Sequence, residues 1–174
     1  MADTIAAIAT GAQVAAIGII RISGPEALPI VDRLFRPASG KLMSEYEDRK
    51  LVYGRLTDLS GDLLDLCLCT VSHAPHSYTG EDTAELQCHG SPTVLRAALE
   101  ELFHAGARQA LPGEFTKRAF LNGRMELSSA EAVADIIDAE SIECAKNAAA
   151  QLSGAVAVKA DNIYSTLTDI SSHY

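Results

Sequence analysis

Three short segments of this 174-residue chain combine residue types that can bind a polar ligand. They are residues 77–82 (SYTGED), 85–90 (ELQCHG) and 112–116 (PGEFT). They contain carboxylates, hydroxyls, aromatic rings and glycines, which is more chemistry than a plain connecting loop needs. The segments therefore predict a site for a polar, partly aromatic ligand.

The four cysteines, at positions 67, 69, 88 and 144, do not follow a metal-binding or disulfide pattern. A structural zinc site normally shows two pairs of ligands, each pair two to four residues apart. Here Cys67 and Cys69 alternate within a predicted strand, and Cys88 is directly followed by His89. We therefore predict no metal site, burial of Cys67, Cys69 and Cys88, and reduced thiols at all four positions.

Nucleotide-binding and nucleophile motifs are also missing from the sequence. The only Gly-Lys pair, Gly40-Lys41, is followed by Leu42, and Phe35 stands where a P-loop needs its first glycine. No dinucleotide fingerprint or nucleophile elbow is present. His89 and Cys88 are adjacent on a predicted strand, so their side chains should point to opposite faces, and we expect His89 to bond backbone at a loop edge. The sequence thus predicts no catalytic residue.

The composition indicates a folded protein with an aliphatic core. Hydrophobic residues make up 48% of the chain, charged residues 21%, and there is no Trp. The net charge of −9 argues against binding nucleic acid through charge alone, because that binding depends on clustered Lys and Arg. The longest early apolar run, residues 14–20, is too short for a signal core or a membrane span. We expect a cytoplasmic protein without membrane association.

The hydrophobic pattern in the first two thirds of the chain predicts an α+β fold with mixed strands and helices. Gly61 suits the turn of a β-hairpin, Pro25 suits the first position of a helix, and Gly106 suits the end of another. Residues 36–50 read as a polar connection. The expected strands are 15–23, 51–59, 62–71 and 83–88, and the expected helices run from Pro25 to about Phe35 and from 93 to 105.

The pattern changes after Pro112-Gly113 and becomes helical almost throughout. Ser128 and Glu131 have the spacing of a capping box at a helix start. The last predicted helix runs some thirty residues to Tyr174 without a stop signal, as in a truncated bundle. We therefore divide the chain into an α+β domain, residues 1–115, and the leading helices of an all-α domain, residues 116–174.

Four stretches resemble the MnmE/TrmE family of tRNA-modification GTPases. They are residues 3–10 (DTIAAIAT), 17–25 (IGIIRISGP), 77–90 (SYTGEDTAELQCHG) and 112–139 (PGEFTKRAFLNGRMELSSAEAVADIIDA). The resemblance implies an α+β folate-binding domain like that of the aminomethyltransferases, followed by a helical domain that a GTPase domain interrupts. It further implies that this chain is an amino-terminal fragment without the GTPase domain. Residues 10–16 depart from the glycine-rich stretch that many relatives carry there.

The same resemblance implies an activity and partners for the full-length protein. With the flavoprotein MnmG (GidA), the family adds aminomethyl or carboxymethylaminomethyl groups to the wobble uridine of certain tRNAs. A reduced folate, either 5-formyltetrahydrofolate or 5,10-methylenetetrahydrofolate, is the implied cofactor. GTP, magnesium and potassium belong to the GTPase domain that this chain lacks. The amino-terminal domain is implied to form a homodimer.

Three residues match the folate contacts of the family: Arg21, Glu85 and Arg124. Glu85 corresponds to the carboxylate that holds the pterin, and Arg124 falls where many relatives carry Lys. The resemblance leaves open a structural alternative, in which Glu85 and Arg21 only pair with each other. Two other functions also stay open: a free-standing folate-dependent one-carbon transferase, and a dimerisation domain without a working folate site.

The missing P-loop leads to a first prediction. The purified chain should not hydrolyse GTP, because no loop of backbone amides is available to surround the phosphates. Release of phosphate from GTP measures this directly. Turnover that follows the chain through successive purification steps would contradict the prediction.

Overall fold

The computed structural model describes residues 3–11 and 13–172; Ala12 in the atypical segment and the predicted helix end at His173 and Tyr174 lie outside it. The chain divides into two compact units, Met1–Phe115 and Thr116–Tyr174. Within the described residues there are seven strands and six α-helices, so the α+β class is confirmed. None of the helices in these residues is both long and apolar enough to cross a membrane.

A seven-stranded mixed sheet forms the centre of the first unit. Its strand order is β3-β4-β5-β6-β2-β1-β7, and every neighbouring pair is antiparallel except β1 with β7. The strands are β1 (Ile5–Ile8), β2 (Ile17–Ser23), β3 (Phe35–Pro37), β4 (Val52–Thr57), β5 (Leu63–Ser72), β6 (Thr83–His89) and β7 (Arg108–Gln109). The hairpin predicted around Gly61 and the strand predicted from Thr83 are confirmed.

The helices α1 (Ala27–Leu34) and α2 (Pro92–His104) pack on one face of this sheet. Alternation along the central strands explains the core, because every second side chain points to the helices. On β2, Ile20 and Ile22 are fully buried, whereas Arg21 between them lies on the other face. The opposite face therefore carries the polar side chains of the central strands.

Small residues on the core face let the helices and a neighbouring ring approach the sheet. Gly54 of β4 lies opposite Cys67 of β5. A Cβ atom on Gly54 would lie 2.5 Å from Cζ of Phe35 and 2.5 Å from the carbonyl oxygen of Arg36. Because one of these neighbours is backbone, it cannot move away without disturbing β3. Position 54 therefore requires glycine for reasons of space.

The first helix starts later than the sequence predicted. Pro25 and Glu26 form a turn, in which the amide of Ala27 donates to the carbonyl of Gly24 at 3.1 Å, and α1 begins at Ala27. The hydroxyl of Thr4 accepts from the amide of Glu26 at 2.9 Å, which anchors the turn to the amino-terminal segment. The predicted polar connection, residues 36–50, also contains most of β3 and a short 3-10 helix, Met43–Glu45.

The second unit is helical. Its helices are α4 (Leu127–Ile137), α5 (Ile142–Leu152) and α6 (Ala155–Ser172), preceded by α3 (Glu114–Leu121), which begins in the first unit. The side chain of Gln151 donates to the carbonyl of Ser128 at 3.1 Å and joins α5 to α4.

Two predictions about these helices are wrong. The capping box at Ser128 does not form, because α4 begins at Leu127 with Glu126 in the cap position. The long final helix is two helices, since Gly154 adopts a φ of 82° between α5 and α6. A left-handed glycine of this kind commonly ends a helix.

The close approach at Gly54 leads to a second prediction. Gly54→Ala should lower the free energy of unfolding by about 1–3 kcal/mol, the usual range for overpacking a well-packed core. Gly11→Ala is the matched control, because an added Cβ there meets no atom within 4 Å. Denaturant unfolding followed by circular dichroism compares the two. Equal midpoints of denaturant unfolding for the two variants would contradict the prediction, because they would show that the sheet accommodates the added methyl group.

Candidate ligand-binding site

Arg21 and Glu85 lie directly opposite each other on the central strands β2 and β6. Nε and Nη2 of Arg21 both donate to Oε1 of Glu85, at 2.8 Å and 2.7 Å. The side chains are 31% and 28% exposed, so the pair is accessible from the open face of the sheet. Within the described residues, the second oxygen, Oε2, accepts no hydrogen bond. The geometry leaves one oxygen of Glu85 for a ligand.

Two aromatic rings flank the guanidinium of Arg21. The ring centres of Tyr78 and Phe115 lie 5.3 Å and 5.7 Å from Cζ of Arg21, within the range of cation–π attraction. Tyr78 belongs to the SYTGED segment, Phe115 to PGEFT, and Glu85 to ELQCHG. The three segments that the sequence indicated therefore meet around one arginine.

Much of the polar chemistry in residues 77–82 holds that loop to the end of β2. The hydroxyl of Ser23 contacts the hydroxyl of Thr79 at 2.7 Å and donates to Oε2 of Glu81 at 2.7 Å. The amide of Gly24 donates to the carbonyl of Asp82 at 3.0 Å. Ser23 and Thr79 are both fully buried. These side chains position Tyr78 and are not themselves open to a ligand.

A cleft of about 350 Å³ opens beside the Arg21–Glu85 pair. Its volume falls within the roughly 300–1,000 Å³ that is typical of small-molecule sites. The polar residues around it come from β2, β5, β6 and the two loops that precede β4 and β6. They are Arg21, Arg49, Thr70, Ser72, Tyr78, Thr83, Glu85 and Gln87.

Thr70 extends the row of polar residues across a third strand. It lies opposite Glu85 on β5, so Arg21, Glu85 and Thr70 form one line across the sheet. Its hydroxyl oxygen is buried and has no hydrogen-bond partner within the described residues. A buried hydroxyl left unpaired in this way destabilises the empty protein, and water or a ligand commonly completes such a group.

The third predicted contact, Arg124, belongs to the second unit. It is exposed on the turn between α3 and α4, where its amide donates to the carbonyl of Ala119 at 2.8 Å. The structure thus brings Arg21 and Glu85 together, and the role of Arg124 stays a prediction.

The prediction that Cys67 and Cys69 face one side of the sheet is confirmed, and both are buried together with Cys88, whereas Cys144 is exposed. Cys67 and Cys88 lie side by side on β5 and β6, and Asp65 places a carboxylate oxygen within 4.8 Å of both sulfurs. A hydrogen bond to Cys88, followed by burial, raises the pKa of the Cys67 thiol. Both effects favour the protonated form of Cys67, as expected for a packed cysteine.

His89 differs from its prediction as a residue that bonds backbone. Its Nδ1 lies 2.7 Å from Oδ1 of Asp65, and its amide donates to Oδ2 of the same carboxylate at 2.8 Å. The ring is therefore held by a side chain across the hairpin, because Asp65 reaches the end of β6. This contact depends on the pairing of β5 with β6, which a local sequence pattern does not predict.

Sequence reasoning also missed Arg49 and Thr70 as residues of the cleft. Strand alternation along β5 places Thr70 on the same face as Leu68, but only the register with β6 brings it opposite Glu85. Arg49 belongs to no motif, and its position follows from the way the loop before β4 attaches to β5. Neither residue gives a signal that pattern reading alone detects.

Comparison with known proteins shows the family of this chain. The family described as GTP-binding protein TrmE N-terminus matches residues 4–124. A protein named tRNA modification GTPase MnmE from Symbiobacterium thermophilum is 47% identical over 171 residues, which is 98% of this chain and 37% of the relative. The protein of the same name from Bacteroides thetaiotaomicron is also 47% identical, over 98% of this chain and 36% of its own length.

A third relative of that name, from a Synechococcus species, is 48% identical over 88% of this chain and 34% of its own length. This chain therefore spans little more than a third of the length of these relatives. The likeness is strong across almost the whole chain and includes the strands and loops that carry Arg21 and Glu85. The chain belongs to the family of TrmE amino-terminal domains, as found in the tRNA modification GTPases MnmE.

Proposed function

We propose that this chain is the tetrahydrofolate-binding and dimerising module of a GTPase that modifies the wobble uridine of tRNA. In this proposal the full-length protein acts with an MnmG flavoprotein to install aminomethyl or carboxymethylaminomethyl groups. The reduced folate, 5-formyltetrahydrofolate or 5,10-methylenetetrahydrofolate, binds in the cleft beside Glu85. The GTPase activity, with its magnesium and potassium, belongs to a part of the protein beyond this chain.

The observation that carries the proposal is the carboxylate of Glu85, fixed by Arg21 but still open at one oxygen. A pterin ring presents an amino group and a ring N–H side by side, and both donate. A carboxylate offers about four acceptor positions, of which Arg21 uses two at Oε1. The remaining positions suit a donor-rich ring, and Tyr78 gives that ring an aromatic neighbour.

The typical free energies of the two interactions favour a role in ligand binding over a purely structural role for Arg21 and Glu85. A solvent-accessible salt bridge stabilises a protein by about 0–1 kcal/mol. A hydrogen bond between a ligand and a charged group contributes about 1.5–3 kcal/mol. The pair therefore contributes little to the free energy of folding, although it places two charges on the central strands. Its larger contribution would be to ligand binding, as an acceptor held in a fixed position.

The exposed apolar side chains on the open face of the sheet, the face opposite α1 and α2, support the proposal of a dimer. These apolar side chains are exposed on the face that carries Arg21 and Glu85, which is opposite the face on which α1 and α2 pack. They are Ile17 at 59% exposed, Tyr53 at 54%, Leu51 at 49% and Leu66 at 41%. A contiguous apolar face of this kind is typical of a protein interface. A second copy of the chain would bury it.

Glu85→Gln tests the folate site. The change replaces one acceptor oxygen with a donor, which would face the donors of the ligand, so affinity for 5-formyltetrahydrofolate should fall by a factor on the order of ten to a hundred. Isothermal titration calorimetry of the folded variant measures this loss. Arg124→Lys should have a smaller effect, since the positive charge remains.

Glu100→Gln, on the exposed surface of α2, is the matched control and should bind like the parent chain. Thermal unfolding of each variant separates the two roles of Glu85. Unchanged affinity combined with a lower melting temperature for Glu85→Gln would assign the residue to structure alone and contradict the folate proposal.

Tyr53→Glu tests the interface. A carboxylate placed among the exposed apolar side chains of this face should weaken self-association at least tenfold, because it would have to lose its water in the interface. Sedimentation equilibrium at tens of micromolar protein gives the dimer constant. Ile163→Glu, on the exposed side of α6, controls for association through the helices. A parent chain that is wholly monomeric under these conditions would rule the interface out.

A further inference from the structure

Arg49 is a second arginine in the cleft, and its backbone is unusual. It lines the same cavity as Glu85, in the loop that leads into β4. Its φ of 63° makes it the only residue other than glycine with a positive φ in the described part of the chain. Left-handed backbone of this kind disfavours a side chain such as arginine, and it often accompanies functional sites. Glycine would adopt the same conformation without strain.

Two hydrogen bonds fix Arg49 in this conformation. Its amide donates to the carbonyl of Val71 on β5 at 2.8 Å, next to Thr70 in the polar row. Its Nη2 donates to the carbonyl of His76 at 2.7 Å, in the loop that carries Tyr78. A guanidinium has five N–H donors, so most of them remain after this bond. Arg49 makes no ion pair within the described residues.

Among the cations that line the cleft, Arg49 is the one without an ion pair in the described residues. Arg21 is neutralised by Glu85. Of the nearby carboxylates, Asp48 accepts from the ring and the amide of His73, at 2.5 Å and 2.8 Å. Hydrogen bonds from His73 lower the pKa of the neighbouring Asp48, and the positive charge of Arg49 lowers it further. Asp82 accepts from the amide of Ala74 at 2.8 Å. In a chain with a net charge of −9, the cleft therefore offers a fixed positive group at its rim.

We propose that Arg49 forms an anion subsite that binds a carboxylate of the same ligand whose ring contacts Glu85. The inference rests on the proposed folate site, because a tetrahydrofolate carries glutamyl carboxylates at the end opposite its pterin. A guanidinium fork matches a carboxylate in two parallel hydrogen bonds.

Two ligands separate the subsite from the rest of the cleft. The chain is titrated with 5-formyltetrahydrofolate and with a 5-formyltetrahydropterin that lacks the aminobenzoyl-glutamate tail. Arg49→Gln should weaken binding of the folate about tenfold, the low end for a charge-assisted hydrogen bond at an exposed rim, and leave binding of the pterin unchanged. Arg96→Gln, which removes an equal charge from the surface of α2, should affect neither ligand.

Arg49→Gly provides a second test, in which folate affinity and melting temperature are both measured. It should bind the folate as weakly as Arg49→Gln and yet melt at the same temperature as the parent chain or above, since glycine relieves the left-handed backbone. Equal losses for both ligands in Arg49→Gln, or no loss for either, would overturn the subsite while leaving the folate site intact. A parent chain that binds neither ligand would instead refute the proposed function, and the subsite with it. Inorganic phosphate that competes at Arg49 without displacing the pterin would show that the subsite takes any anion, which also contradicts a carboxylate subsite.

Discussion

The ion pair between Arg21 and Glu85 depends on a single register, that of β2 with β6. These strands lie in the middle of the sheet, so their register also sets which residues face the helices and which face the cleft. A shift of β2 by one residue would turn Ile20 and Ile22 outward, bury Arg21 and leave Glu85 without its partner. The core thus enforces the site, because misplacing it would bury unpaired charge and expose the largest apolar side chains.

The two faces of the sheet differ in what they carry. One face supports α1 and α2 over a core of aliphatic residues and three buried cysteines, in which small residues such as Gly54 admit close neighbours. The other face lies opposite α1 and α2 and carries both the polar row and a group of exposed apolar side chains. The proposed ligand site and the proposed interface therefore share one face of the sheet.

The loops complete the site because each is tied to the sheet by side-chain hydrogen bonds. Ser23 holds the loop of Tyr78, and the carbonyl of His76 in that loop holds Arg49. Arg108 pairs with both Asp3 and Glu114, which fixes the start of α3 and with it Phe115. The contacts that shape the cleft are therefore mostly between residues far apart in sequence.

The sequence alone determined the α+β class, the hairpin around Gly61, the helix α2 and the three segments rich in polar and aromatic residues, because alternation, helical spacing and turn glycines are local signals. It also identified Arg21 and Glu85, through resemblance to a family. Only the tertiary structure decided that Thr70 and Arg49 belong to the cleft, that His89 pairs with Asp65, and that Gly154 divides the last helix. Strand register and left-handed backbone cause these outcomes, and both depend on the energy of contacts between distant residues, which no local pattern contains.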